Sequence, residues 1–278
     1  MAQSEWVGER SRRWLAGLSV REAQLAPVSL PLFAAAGLGP GERVLDVGCG
    51  PGTTTEPAFR AVQPGGRVTG MDVAPEMIDA ARDRFAGLDI DWLVGDAVST
   101  PLPEAAYDVV LSRFGVMFFS DPLAAFGRLA AATRPGGRLC AAAWRRRPES
   151  PFFAVPYAAV LSDLRRGGAD VVEPDPDGSS FSLGATDPAS ALLMAAGWSD
   201  VTWEARDDRL YVGGPGSVAD AAAAAVEVGS TFTLLEDRTD EERRSALIAL
   251  EQALEPWFDG RGVALPGGFW VVSARRSP

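Results

Sequence analysis

Four short segments hold the residues whose types and spacing can do chemistry. The first is Val44-Leu45-Asp46-Val47-Gly48-Cys49-Gly50-Pro51-Gly52, an apolar run that leads into glycines at 48, 50 and 52. Asp46 stands two residues before the first glycine. Glycine accepts positive φ and lets backbone approach a ligand closely. The glycines are spaced two and two, so the dinucleotide fingerprint, spaced two and then three, does not fit. The second segment is Asp72, which lies 24 residues after Gly48. An acid near that distance accepts hydrogen bonds from both hydroxyls of a ribose, or it caps the helix that opens at Pro75. The third is Gly95-Asp96-Ala97, where the acid reads an exocyclic amine on adenine or caps a turn. The fourth is Ser112-Arg113-Phe114-Gly115-Val116-Met117-Phe118-Phe119. Arg113 meets a carboxylate or substrate anion there, or forms a structural salt bridge. Phe114, Met117 and Phe118 line a pocket or belong to the core.

These segments need elements that bring them together. Arg43 to Val47 reads as a buried strand, and Arg67 to Met71, Asp89 to Val94, Tyr107 to Ser112 and Leu139 to Trp144 read as four further strands. Helices fit between them. Residues 53–62 form one, and Pro75 opens another with Ile78, Ala81 and Phe85 at helical spacing. Asp121-Pro122 caps a third, with Leu123, Phe126 and Ala130 as its stripe and Pro135-Gly136-Gly137 as its end. Strands alternating with helices imply a doubly wound parallel sheet, and ligands bind beyond the carboxyl ends of such strands. All four segments follow a strand.

The flanks differ. Residues 1–36 read as an N-terminal helical cap carrying Trp6, Trp14, Leu18, Leu25 and Phe33, and Leu38-Gly39-Pro40-Gly41 breaks the chain after it. Residues 152–164 read as a helix and 167–186 as an irregular loop. Asp187-Pro188 opens a further helix that stops at Gly197, and 198–212 read as a strand. Thr239 and Glu242 make a capping box before Leu247, Leu250 and Leu254. Gly268 to Ala274 is the last strand. The insertion at 213–266 reads as a lid or as a homodimer surface.

Composition removes whole mechanisms. Among 278 residues there is no His, and all 26 basic residues are Arg. Nucleophile pairs that rely on His, His-based metal sites, Schiff-base lysines and phosphate-loop lysines are therefore excluded. Cys49 and Cys140 are the only cysteines, too few for a thiolate cluster, so no metal is expected. The net charge of -11 argues against nucleic acid and anionic membranes as partners. No stretch of about 18 apolar residues offers a membrane span. Charges precede any apolar run at the start of the chain, which reads against a signal peptide. A cytoplasmic protein is the expectation.

The four segments together resemble the class I S-adenosylmethionine-dependent methyltransferases, especially the small-molecule group that includes the ubiquinone/menaquinone-biosynthesis type. VLDVGCGPG looks like the first motif of that family, and Asp72 matches its ribose-binding acid. GDA at 95–97 matches its adenine motif, and Arg134-Pro135-Gly136-Gly137-Arg138-Leu139 is similar to its turn into the fifth strand. The resemblance implies a Rossmann-like, seven-stranded, mostly parallel sheet with an antiparallel last strand, spanning 37–278. It implies S-adenosyl-L-methionine as cofactor. Gly48, Gly50 and Gly52 would contact the methionine part, with Asp46 and Cys49 in the same loop. Asp72 would bind the ribose, Asp96 and Ala97 the adenine, while Val73 and Met77 pack on the nucleoside. Trp14 would close over the methionine end, beside Arg113 and Phe114. Many relatives carry a His pair where Met117 and Phe118 stand, and this chain cannot use His as a base.

Methyl transfer from a sulfonium needs mainly in-line alignment, which contributes on the order of 7–11 kcal/mol. The expected acceptor is a small molecule of apolar character that ionises easily. Asp121, Tyr157 and Glu149 are the acid–base candidates. Two other readings remain open: cyclisation or rearrangement without methyl transfer, and a non-catalytic partner subunit.

Overall fold

The computed structural model describes residues 6–175, 178–227 and 229–277. Residues 1–5 of the expected helical cap, and Pro176 and Asp177 of the expected loop, lie outside the described residues. Seven strands form one sheet: β1 (Arg43–Val47), β2 (Arg67–Asp72), β3 (Asp91–Val94), β4 (Tyr107–Arg113), β5 (Thr133–Trp144), β6 (Trp198–Tyr211) and β7 (Ala264–Arg276). Their order across the sheet is β3-β2-β1-β4-β5-β7-β6. The first five are parallel, and β7 runs antiparallel to both of its neighbours, β5 and β6. This is the expected sheet with its antiparallel last strand.

Ten helices accompany the sheet among the described residues: α1 (Glu9–Ala16), α2 (Leu18–Ala36), α3 (Thr55–Ala61), α4 (Pro75–Arg84), α5 (Pro122–Ala132), α6 (Pro151–Arg166), α7 (Thr186–Ala195), α8 (Val218–Ala225), α9 (Gly229–Leu235) and α10 (Asp240–Leu254). No single helix among them is long and apolar enough to cross a membrane. The sheet steps one way from β1 to β3 and the other way through β4 and β5. Right-handed crossovers therefore put α3 and α4 on one face and α5 on the other. The order reverses between β1 and β4, where a ligand crevice opens.

Burial explains the strands. Val44, Leu45 and Asp46 of β1 and Val109, Val110 and Leu111 of β4 are buried, as central strands covered on both faces require. The α2 helix carries Leu25, Val28, Leu32 and Ala36 at helical spacing and packs across β4, β5, β6 and β7. Its apolar side belongs to the main core. Capping boxes start α8, at Ser217 and Asp220, and α10, at Thr239 and Glu242.

Three local expectations need correction. Leu123 is exposed, because the first turn of α5 faces water; Phe126, Leu129 and Ala130 carry the stripe. Pro135-Gly136-Gly137 lies within β5, where pairing jumps from Tyr107↔Thr133 to Val109↔Arg138, so the three residues form a bulge and α5 already ends at Ala132. The last strand starts at Ala264, ahead of Gly268, because Leu265 is buried and pairs with Leu210 of β6.

Candidate active site

The carboxyl ends of β1, β2, β3, β4 and β5 open onto one cavity of about 690 Å³, within the range of ligand pockets. Its wall includes Trp14, Gly48, Cys49, Gly50, Asp72, Val73, Met77, Ala97, Arg113 and Phe114. Asp46, Gly52 and Asp96 stand behind that wall.

The turn after β1 is shaped by close backbone approach. Gly48 has φ +66°, and a Cβ there would lie 2.7 Å from Gly115 Cα. A Cβ on Gly115 would lie 2.8 Å from Gly48 Cα and 2.6 Å from the Val47 carbonyl. The loops leaving β1 and β4 thus touch backbone to backbone. Ser112 reinforces the contact: its hydroxyl donates to the Val47 carbonyl (2.7 Å) and accepts from Gly115 N–H (3.2 Å). Gly50 is different, since nothing lies within 4 Å of where its Cβ would be. Gly52 faces away from the cavity against Trp92 and Phe85.

Asp46 is fully buried, and its Oδ2 accepts from the Thr54 and Thr55 hydroxyls, each at 2.7 Å. It anchors the start of α3 behind the glycine turn. Burial lifts its pKa to about 6, against the two hydroxyls and Arg113, which favour the charged form. Its Oδ1 has no partner among the described residues. Asp72 ties two segments together: Oδ2 accepts from Gly50 N–H (2.8 Å) and Oδ1 from Ala74 N–H (2.9 Å). Each oxygen keeps acceptor capacity toward the cavity. Burial raises its pKa, and these backbone donors oppose the rise. Asp96 caps its turn, with Oδ1 accepting from Val98 N–H (2.7 Å). Gly95 and Ala97 on either side of it reach the wall.

Arg113 lines the cavity floor and donates to Ser29 Oγ of α2 (2.8 Å). Burial lowers its pKa, while Asp46 and Glu22 hold it charged. Phe114 has φ +66°, a strained value for a residue with a Cβ. That conformation lays its ring on Trp144, with centroids 3.8 Å apart. Phe153 meets Trp144 and Phe181 edge to face, so this wall is aromatic. The Cys49 thiol is pushed well up by burial and by the nearby Asp46 and Asp72 carboxylates. Such a thiol is a packed small residue and no nucleophile.

The acid–base candidates sit away from the cavity wall. Asp121 is the N-cap of α5 and accepts from Ala124 N–H (3.0 Å). Tyr157 donates to Glu173 (2.8 Å) beneath the Arg147 guanidinium, and burial together with Glu173 raises its pKa. Glu149 pairs with Arg145 at 3.0 Å. The residues that sequence reasoning missed include Glu22 of α2. It lines the cavity, accepts from the Thr53 hydroxyl, and pairs with Arg84 at 3.1 Å. Arg84 in turn donates to the Pro51 carbonyl (2.8 Å). Only the approach of α2 to the glycine turn reveals this clamp, since 31 residues separate Glu22 from Thr53. Gly115 had a visible signal, a glycine in a loop leaving a central strand. Phe232, Thr233 and Glu236, between β6 and β7, also reach the wall.

A glycine turn at a topological switch point, with an acid at the end of the neighbouring strand, defines a nucleoside-binding α/β protein. Comparison with known proteins agrees. A family model described as a methyltransferase domain matches residues 44–137. Demethylmenaquinone methyltransferase of Mycobacterium sp. (strain KMS) is 32% identical over 176 residues, 61% of this chain and 73% of that protein. An uncharacterized Mycobacterium tuberculosis protein is 38% identical over 125 residues, 44% of each chain. A second is 35% identical over 149 residues, 53% of this chain and 51% of that protein. The match thus spans about half the length of those two relatives. Among solved structures, the Bacillus subtilis protein YcgJ superposes with a TM-score of 0.56 at 18% identity, covering 90% of this chain and 97% of its own. The cyclase SpnF does so with a TM-score of 0.55 at 20% identity, covering 90% and 81%; both show the fold. The chain belongs to the class I S-adenosyl-L-methionine-dependent methyltransferases of the small-molecule type, and S-adenosyl-L-methionine is its cofactor.

Proposed function

We propose that the protein transfers a methyl group from S-adenosyl-L-methionine to a small, largely apolar acceptor held against the aromatic wall. One observation carries this reading. A single cavity joins the glycine turn and Asp72 to Phe114, Trp144, Phe152 and Phe153, so both reactants fit beside each other. When bound, the cofactor supplies a methyl carbon already activated on a sulfonium.

The rest is the work of this chain. Gly48, Cys49 and Gly50 offer backbone to the methionine part, and the open space at Gly50 leaves room for it. Asp72 takes the ribose hydroxyls on its remaining acceptor capacity. Val73, Met77 and Ala97 pack on the nucleoside. Asp96 acts through its turn, which sets Gly95 and Ala97 against the adenine. Arg113 meets the methionine carboxylate, and Trp14 closes over that end. Asp46 and Gly52 are positioning residues, which hold the turn through Thr54 and Thr55 and through Trp92 and Phe85. Asp121, Tyr157 and Glu149 are occupied elsewhere, so the acceptor arrives ionised or loses its proton to solvent. Alignment then supplies most of the barrier reduction, on the order of 7–11 kcal/mol. In the same proposal, residues 1–36 are a helical cap, 37–278 the catalytic domain, and 213–266 an insertion that completes the cavity.

The test is calorimetry with S-adenosylhomocysteine, then incubation with methyl-labelled S-adenosylmethionine and a panel of phenols, thiols, amines and enolisable carbons. Label in a product of one added methyl supports the reading. Folded protein that binds neither form of the cofactor overturns it, and bound cofactor with a rearranged, unlabelled product points to cyclisation chemistry.

A further inference from the structure

Four arginines among the described residues line the cavity, and the cofactor reading uses only Arg113. Arg10, Arg13 and Arg21 line it from α1 and the first turn of α2, and all three are half-buried. Of the acids at the same cavity, Glu227 and Glu236 are exposed to water, while the half-buried Asp72 and Glu22 are engaged by the Gly50 and Ala74 N–H groups and by Thr53 and Arg84. Carboxylates exposed to water are screened, so they compensate a half-buried guanidinium only in part.

Arg21 is the least compensated of the three. Arg13 lies over the Phe232 ring (4.9 Å) and reaches Glu9 at 3.9 Å. Arg10 lies over Trp6 at 4.3 Å. Arg21 lies over Trp14 at 4.9 Å, and its hydrogen bond is a long one, 3.5 Å to the Arg13 carbonyl. Its Nε is buried with no acceptor among the described residues, packed where a Cβ on Gly17 would be 3.0 Å away. Burial pushes its pKa down; Glu227 opposes this at a distance and Arg13 adds to it. A cation so placed, on the wall of a ligand cavity, is completed by an anion from the ligand. The same cavity is also lined by the stacked Phe114 and Trp144 pair, with Phe153 edge-on to both Trp144 and Phe181, a surface that matches a planar ring.

Resting on the methyltransferase reading, we propose that the acceptor is an aromatic acid, with Arg21 holding its carboxylate and the Phe114–Trp144 wall holding its ring. Arg21 is then the specificity-determining residue for the acceptor, and Arg113 serves the cofactor.

The experiment titrates protein saturated with S-adenosylhomocysteine with 2-naphthoate and with its neutral counterpart 2-naphthamide, by calorimetry. The acid binds at least about tenfold more tightly, as expected for a charge-assisted pair. Arg21→Gln reduces that preference to about twofold or less, Arg21→Lys restores part of it, and neither changes the S-adenosylhomocysteine affinity. Arg113→Gln shows the reverse pattern. Equal binding of acid and amide, no binding of the acid, or a preference that survives in Arg21→Gln overturns the inference and leaves the methyltransferase reading standing. Loss of S-adenosylhomocysteine affinity in Arg21→Gln also overturns it, because Arg21 then holds the cofactor. A wild-type protein that binds no S-adenosylhomocysteine overturns both.

Discussion

Asp46 ties stability to pH in a way that a single substitution isolates. Its carboxyl is fully buried, and its pKa rises from an ordinary 3.8 to about 6 in the folded protein. The folded form therefore holds the proton more tightly than the unfolded chain. That contribution to stability is complete below about pH 3.8 and is lost as pH rises through about 6. At about 1.36 kcal/mol per pH unit, the gap amounts to about 3 kcal/mol, of which about 2 kcal/mol falls between about pH 4.5 and 7.5. Asp46→Asn cannot titrate, and its side-chain oxygen still accepts from the Thr54 and Thr55 hydroxyls. Urea unfolding of both proteins, followed by tryptophan fluorescence across that range, isolates the term by difference. The wild type loses about 2 kcal/mol relative to Asp46→Asn as pH rises. Parallel profiles, or a wild type that gains on the variant with rising pH, refute the reasoning, because the carboxylate would then be as well solvated folded as unfolded.

Other consequences are direct. Asp72→Ala removes an acceptor that also orders Gly50 and Ala74, and S-adenosylhomocysteine affinity falls about 100-fold by calorimetry; a change within about threefold contradicts the ribose role. Because burial raises the Asp72 pKa, cofactor affinity weakens as pH drops toward the acid range, and Asp72→Asn abolishes that dependence. Gly48→Ala meets both a left-handed φ and the Gly115 backbone, for a loss of about 3 kcal/mol and a fall in Tm of about 6–10 °C by calorimetric scan. Cys49, buried with a raised pKa, resists a disulfide-exchange reagent until the protein is unfolded, and Cys49→Ser keeps cofactor affinity within about threefold.

What could be read beforehand was local. Gly48 and Gly50 announce themselves because a positive φ excludes other residues over a stretch of a few positions. Asp72 does so because a strand of known length delivers it to the sheet edge. The central strands β1 and β4 were legible from runs of residues buried on both faces, as a doubly covered sheet requires. Contacts made by helix placement were not. Glu22 reads as an ordinary surface acid of α2 until that helix sets it against Thr53 and Arg84. Leu123 has the spacing of a core residue, yet its turn of α5 overhangs the sheet and faces water. Asp96 had two readings, and the bond from Val98 N–H to its Oδ1 shows the turn-capping one made, a contact that the sequence does not reveal. The part that 213–266 plays in the cavity depends on Phe232 meeting Arg13, a pairing between the two ends of the chain.

The backbone contact between Gly48 and Gly115 also bears on how this protein tolerates redesign. A side chain at either position would meet the other, and at Gly115 the Val47 carbonyl as well, so the pair behaves as one shared clearance between two loops. Scanning single substitutions reports both as intolerant, and Gly115 is then easily mistaken for a reactant-binding residue. Libraries aimed at the cavity gain by freezing both and diversifying Phe118, Phe152, Phe153, Phe181 and Phe232, which line it with side chains.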